Sequence, residues 1–419
     1  MQEEDLLMKE EVEAPQQIGP YQILETIGTG AFATVFKAMH TITMVTVALK
    51  CIPKRQLKSK SEFELLQREV KLMRTMDHPF IASLFEVLDD EKNFYIAIEY
   101  VENGNLLDYI NANKGLQEPE ARKIFYQIIT TLEYLHIERR VMHRDLKAEN
   151  VLLDKFFNIR LVDFGLSKAF TKNDPFLMSI CGSPAYVSPE IIKEKPYTTA
   201  ADIWSCGVLL YAMVVGVLPF NGDNITNLLE TILSVNPPIP LNLSPELRQL
   251  LLRLLNKDPR GRITIQEIKE HPWLADYEDS QIMSDDFGLI KSLKVMDVTS
   301  LDAGVLNEMR AFSYDLGGLL QEIKSCKINS RTAAYKILKR QRTIEEINNW
   351  QLVRPSKIQH LREEKLPMLS DSLMRQSDGS DTPPSRKINI RQPRLRKRVN
   401  EPRKPNAPLK PLSPLIHLV

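Results

Sequence analysis

Residues 28–35 read Gly-Thr-Gly-Ala-Phe-Ala-Thr-Val, a turn whose glycines let a backbone approach a phosphate closely. Alone it is a weak signal, because Ala33 stands where a third glycine would complete the G-x-G-x-x-G pattern. A dinucleotide-binding turn requires strand, turn and then helix. Here strand-like residues flank both sides, so the pattern predicts a flexible hairpin lying over phosphates. Lys50 follows in Val47-Ala48-Leu49-Lys50; strand alternation puts it on the face of Thr46 and Ala48, opposite Val45, Val47 and Leu49. Glu69 has Leu65, Leu66, Leu72 and Met73 at helical spacings of three and four, which sets a carboxylate on an apolar face. Buried alone, it would cost several kcal/mol or be forced neutral. A cationic partner is expected, and Lys50 is the candidate. Further on come His143-Arg144-Asp145-Leu146-Lys147-Ala148-Glu149-Asn150 and, thirteen residues past Asn150, Asp163-Phe164-Gly165.

With the loop that closes at Ser188-Pro189-Glu190, this ordered set resembles eukaryotic protein kinases over residues 21–274. The resemblance implies an α+β, two-lobed fold: a small β-rich N-lobe at 21–101 and a larger helical C-lobe at 102–274. It implies ATP and Mg²⁺ as cofactors in phosphoryl transfer, where positioning and charge neutralisation do most of the work. By the same resemblance, Gly28, Thr29, Gly30, Ala31, Phe32 and Ala33 cover the ATP phosphates, and Ile27, Val35 and Ala48 join them in the nucleotide site. Lys50, held by Glu69, grips the α- and β-phosphates. Asp163 and Asn150 offer the hard oxygens that Mg²⁺ prefers. Asp145 accepts the substrate hydroxyl proton, and Lys147 stabilises the transferring group; a lysine there is similar to serine/threonine kinases. Ile98 becomes the gatekeeper, and Glu99 to Val101 the hinge that reads adenine through backbone groups. Asp202 supports the catalytic loop, and Arg262 pairs with Glu190. The alternative is a pseudokinase scaffold that binds partners without catalysis, against which the intact Lys50, Asp145 and Asp163 argue. A small-molecule or lipid kinase is disfavoured by the complete segment up to Glu190.

That segment contains Phe176-Leu177-Met178-Ser179-Ile180-Cys181-Gly182-Ser183, the activation and substrate-docking loop by resemblance. Ser179 takes the place of the regulatory phosphorylation site, written by an upstream activating kinase, and its phosphate would pair with Arg144. Ser183 would sit near Asp145 and Lys147, and Glu149 would help dock protein substrates. No basic neighbour within the stretch lowers the Cys181 pKa, which disfavours a redox role. Residues 143–153, the DFGLS run, CGSP and HPWL resemble the calcium/calmodulin-dependent kinase group, and within it kinases related to AMP-activated and microtubule-affinity-regulating kinases. Residues 309–315 and 331–335 resemble the ubiquitin-associated-like, three-helix module of that family, placed here at 303–342, where packing on the kinase and tuning of activity is expected over ubiquitin binding. Asn105 departs from the glutamate frequent in the family, which puts a strict preference for basic substrates in doubt.

The elements that must position these residues follow from periodicity. Residues 21–52 read as three strands, a helix starts near Glu62, strands return at 80–100, and helical patterns dominate beyond Leu106. The apolar run 203–220 reaches the lower length of a membrane span. Asp202 before it, Pro219 at its end and no basic flank after it favour a buried core helix. The chain has 419 residues and a formal net charge of +1, so composition gives no case for specific nucleic-acid binding. The charge is uneven: six acids and only Lys9 in residues 1–14, in an acidic extension (1–20), and ten basic residues against Glu401 between Arg386 and Lys410. The tail, 355–419, is basic and proline-rich, too polar to bury a core, and is expected to be disordered. Partners considered for it are nuclear-import receptors at Arg394–Arg398, anionic membrane and proline-recognition domains. Four well-separated cysteines and an opening with no secretory signal point to an intracellular, cytoplasmic protein, with a nuclear location as a variant.

Overall fold

In a computed structural model of the chain, the described residues are 16–30, 33–57, 59–169, 182–274 and 301–353, with side chains to 347. The N-lobe is one antiparallel sheet of six strands: β1 (Gln17–Ile18), β2 (Tyr21–Thr29), β3 (Thr34–His40), β4 (Thr46–Pro53), β5 (Leu84–Asp89) and β6 (Asn93–Glu99). Its order is β1-β2-β3-β4-β6-β5. Period-two alternation sends Val47, Leu49 and Cys51 of β4 into a core with Phe36, Ala38, Tyr95 and Ala97. Lys50 therefore emerges on the other face, in register with Val35 on one side and Ile96 on the other.

Helix α1 (Lys60–Arg74) packs across that second face. Its start is a capping box: Glu62 N–H donates to Ser59 Oγ at 3.2 Å, and Ser59 N–H to Glu62 Oε2 at 3.0 Å. Leu66, Glu69, Val70 and Met73 form its buried stripe, which fixes the rotation that turns Glu69 toward β4.

The C-lobe is built from α2 (Leu106–Asn113), α3 (Glu118–Glu133), α4 (Pro189–Ile192), α5 (Ala200–Val215), α6 (Ile225–Ser234), α7 (Pro245–Leu254) and α8 (Ile265–Lys269). Two short antiparallel pairs accompany these helices, the hairpin β8 (Val151–Leu153) with β9 (Ile159–Leu161), and β7 (Val141–Met142) with β10 (Lys168–Ala169). The apolar run 203–220 is a buried helix only to Val215. Gly216, at φ +80°, ends it, and a Cβ there would meet the Lys114 carbonyl oxygen at 2.7 Å. Pro219 thus lies beyond the helix it was expected to terminate. Trp204 of α5 stacks on Phe220 at 5.7 Å, so the run's last residue still serves the core. Among the described residues no helix is long and apolar enough to cross a membrane.

Three further helices follow: α9 (Ala303–Ala311), α10 (Leu319–Lys324) and α11 (Ser330–Val353). Val305, Met309, Leu319, Ile323, Ala334, Tyr335 and Leu338 close a small core of their own. Ile337, on the opposite face of α11, enters the N-lobe core beside Tyr21, Phe36 and Phe85. The last helix continues past residue 342, where the repeat of apolar residues weakens.

Candidate active site

The turn after β7 is held from behind by one carboxylate. Asp202, in the first turn of α5, accepts the N–H groups of His143 (2.9 Å) and Arg144 (2.8 Å) and pairs with His136 Nε2 at 2.7 Å. These hydrogen bonds keep the Asp202 carboxyl below its usual range although burial pushes it up. Arg144 at φ +71° and Asp163 at φ +64° both sit in the left-handed region that non-glycine residues avoid. Glycine is required opposite them: a Cβ on Gly182 (φ +99°) would lie 2.8 Å from the Arg144 carbonyl oxygen. Glu190 and Arg262 anchor the far end of the same loop by a bidentate pair at 2.7 and 3.0 Å.

Within this frame Asp145, Lys147, Asn150 and Ser183 converge. Asp145 Oδ2 lies 2.9 Å from Lys147 Nζ and accepts Asn150 Nδ2 at 3.3 Å. Its Oδ1 accepts Ser183 N–H at 2.9 Å and Ser183 O–H at 2.8 Å, and Lys147 Nζ donates to Ser183 Oγ at 3.1 Å. Burial alone would raise the Asp145 carboxyl; Lys147 and the Ser183 hydrogen bond reverse that and hold it below the ordinary value. A carboxylate so placed is ionised and ready to orient a hydroxyl. Glu149 is half-buried next to this cluster, and burial raises its carboxyl.

Across the cleft Lys50 Nζ stands 3.7 Å from Glu69 Oε1, both nearly buried, so the expected pair forms. Asp163 faces them with its Oδ2 buried and without a hydrogen-bond partner among the described residues. Its carboxyl is raised to about 8: burial pushes it up most, Lys50 pulls it down, and Glu69 and Asp145 push it up. Its Oδ1 accepts the Gly165 N–H at 3.3 Å, and a buried carboxyl with the other oxygen unpartnered beside further acidic groups fits a divalent cation. Among the described residues no group of three His, Cys, Asp or Glu forms a metal site. Asp163 and Asn150 would offer the few oxygens that suit Mg²⁺, whose shell water and substrate phosphates would complete.

The residues expected to bind the nucleotide lie on β2, β3, β4 and at the end of β6, or beside these strands. Gly28 and Thr29 of β2 pair with Val35 and Thr34 of β3, and Gly30 N–H closes the turn on the Ala33 carbonyl at 2.9 Å. Ile27 is exposed, Ala33, Ala48 and Val101 are buried, and Val35 is half-buried. Ala31 and Phe32 lie outside the described residues, as do Ser179 and Cys181.

Glu99 holds the least expected part of the site. Its carboxylate turns to two buried guanidinium groups, Arg160 Nε at 2.6 Å and Arg340 Nε at 2.8 Å. The Glu99 N–H donates to the Ser83 carbonyl at 2.9 Å, so neither the carboxylate nor the N–H is left for a ligand. Arg340 also donates to the carbonyls of His78 (3.2 Å), Pro79 (2.8 Å) and Ile81 (2.9 Å). The two arginines hold the Glu99 carboxyl below its usual range against burial. Sequence reasoning missed Arg160 and Arg340. For Arg160 the available signal was a lone arginine inside an apolar strand, Ile159-Arg160-Leu161, which demands an anion; Arg340 is 241 residues from Glu99 and gave none. Asn105 is the N-cap of α2, accepting Asp108 N–H at 2.9 Å and donating to Asp108 Oδ2 at 2.9 Å. Asparagine caps far better than glutamate, which gives the substitution a structural reason.

A family model described as protein kinase domain matches residues 21–274. The chain is 38% identical over 329 residues to the SNF1-related protein kinase catalytic subunit alpha KIN12 of Arabidopsis thaliana, covering 78% of this chain and 65% of that protein. It is 37% identical over 325 residues to the serine/threonine-protein kinase SIK1 of Rattus norvegicus (77% and 41%). Identity to the carbon catabolite-derepressing protein kinase of Secale cereale is 38% over 322 residues (76% and 63%). The matches thus span between 41% and 65% of the length of these relatives.

Proposed function

This chain belongs to the protein kinase family, and we propose that it is an ATP- and Mg²⁺-dependent serine/threonine kinase of protein substrates. The reading is supported by the Asp145–Lys147–Ser183 cluster with Asp163 near it, whose unpartnered Oδ2 is buried opposite Lys50 and Glu69. Asp145 orients the acceptor hydroxyl and takes its proton, Lys147 balances charge on the transferring group, and Lys50 with Glu69 grips the phosphates. Mg²⁺, held by Asp163 and Asn150, neutralises phosphate charge. Hinge recognition runs through the backbone of Glu99 and Val101, under the turn Gly28–Ala33. Ile27, Val35 and Ala48 enclose the nucleotide, and Glu149 docks substrates. Similarity to the SNF1-related protein kinase and to SIK1 supports a place in the SNF1-related branch, and an intracellular location is part of the proposal.

Regulation is proposed at two places. Ser179 is the target of an upstream kinase, its phosphate meeting Arg144; Ser179→Ala is expected to lower activity, and unchanged activity after incubation with an activating kinase places the switch elsewhere. Residues 303–342 act as a ubiquitin-associated-like module that tunes the lobe on which it packs. The tail beyond 355 remains assigned to no partner. The reading is tested with matched Ser, Thr and Tyr peptides and labelled ATP. Transfer to Ser and Thr, abolished in Asp145→Asn, is expected; transfer to Tyr alone, or none by an activated wild type, rejects it.

A further inference from the structure

Where the end of α1, the turn after α3 and the helices α10 and α11 meet, the molecule holds a cavity of about 390 Å³. Its lining includes none of the residues assigned to ATP, Mg²⁺ or substrate. Part of its wall is apolar, from Met76, Leu84 and Ile323. The rest is cationic: Arg74, Arg139, Lys324, Lys336, Lys339 and Arg340 against the carboxylates Asp77 and Glu138.

Arg340 has its charge committed to Glu99. Lys336 differs: it is half-buried and has no ion pair or hydrogen bond among the described residues. Burial lowers its ammonium pKa, Cys326 and Asp77 offset only part of this, and neighbouring Arg74 adds repulsion. Arg74 has a buried Nε with no hydrogen-bond partner among the described residues. Two like charges held together at a partly dry site cost free energy that an anion between them removes. Tyr134 accepts Asp77 N–H at 3.0 Å, which leaves its own O–H proton to donate into the cavity. Arg with Lys and a hydroxyl is the donor set that suits a phosphate dianion. The volume lies at the low end for small-molecule sites, and the apolar wall suits an organic substituent.

We propose that this junction binds a small phosphomonoester, its phosphate between Lys336 and Arg74 and hydrogen-bonded by Tyr134. Such a ligand touches the N-lobe through Arg74, the C-lobe through Tyr134 and the α9–α11 module through Lys336. Its binding therefore favours the docked arrangement of all three.

The test uses the full chain with the ATP cleft saturated by a non-hydrolysable analogue and Mg²⁺, titrated at constant ionic strength with inorganic phosphate or phenyl phosphate. A saturable rise of the thermal midpoint is expected. Lys336→Gln and Arg74→Gln should each weaken apparent affinity about tenfold. Lys71→Gln, which removes the same charge from an exposed position on α1 outside the cavity, should leave it unchanged. Lys324→Gln, at an exposed lining position, provides a second variant if either of the first two folds poorly. Equal responses from wild type and the cavity variants, or no saturable response in wild type, overturn the site. Phenyl phosphate binding no tighter than inorganic phosphate overturns its assignment to esters. Both readouts are independent of phosphotransfer.

Discussion

At the scale of single residues, the site works by placing charges where burial alone would not keep them. Asp145 remains ionised because Lys147 and Ser183 pay back its desolvation. Ser183→Ala removes the hydroxyl that bridges the two and is expected to lower kcat about tenfold with little change in KM for ATP; a steady-state titration of ATP and peptide separates the two constants. Asp163 is the opposite case. Its carboxyl rises from 3.8 to about 8 in the folded protein without nucleotide. In that window the folded state binds a proton that the unfolded chain has lost, so the contribution is fully present below the unfolded value and declines as pH rises through the folded one. Denaturant unfolding of the nucleotide-free protein at about pH 5 and about pH 8 should show wild type losing stability relative to Asp163→Asn, by at least about 1 kcal/mol. Parallel behaviour of the two proteins would contradict the shift.

At the scale of elements, strand alternation and helix rotation do the positioning. β4 turns Lys50 out of one core, and the apolar stripe of α1 turns Glu69 in to meet it. Both were legible, because period two and period 3.6 are written locally in Val47–Cys51 and Leu66–Met73. The end of α5 was not, since an apolar run to Phe220 hides the left-handed Gly216 within it. Loop geometry around the catalytic turn depends on another such position. Gly182→Ala puts a Cβ against the Arg144 carbonyl oxygen, a backbone atom that cannot rotate away. It should displace Ser183 from Asp145 and lower phosphotransfer at least about tenfold, while analogue binding in the ATP cleft stays near wild type by calorimetry.

At the scale of the whole molecule, one carboxylate links three parts of the chain. Glu99 at the end of β6 joins Arg160, on the strand that leads to Asp163, and Arg340, on α11. The end of β6, the loop after α1 and the last helix therefore share one buried polar network. Arg340→Ala leaves Glu99 with Arg160 and the Ser83 N–H but takes the Arg340 hydrogen bonds from the Pro79 and Ile81 carbonyls, a loss of about 3 kcal/mol. Hydrogen exchange should show lowered protection in α9–α11 and at His78–Ile81; unchanged protection would mean the network does not hold the module. This long-range tie is the part that sequence could not supply. Arg340 looks like any other basic residue in Lys339-Arg340-Gln341-Arg342, and only the fold makes it the partner of Glu99. The residues proposed as catalytic stand out in the sequence for the reverse reason: their chemistry is packed into short runs, 143–150 and 163–165.

The most direct measurement of the central claim is transfer of the ATP γ-phosphate to a serine peptide, with Mg²⁺, by wild type and Asp163→Ala after both are exposed to an activating kinase that is then removed. Wild type should transfer, and the variant should be slower by at least about a hundredfold. Equal rates in the two proteins would contradict the account.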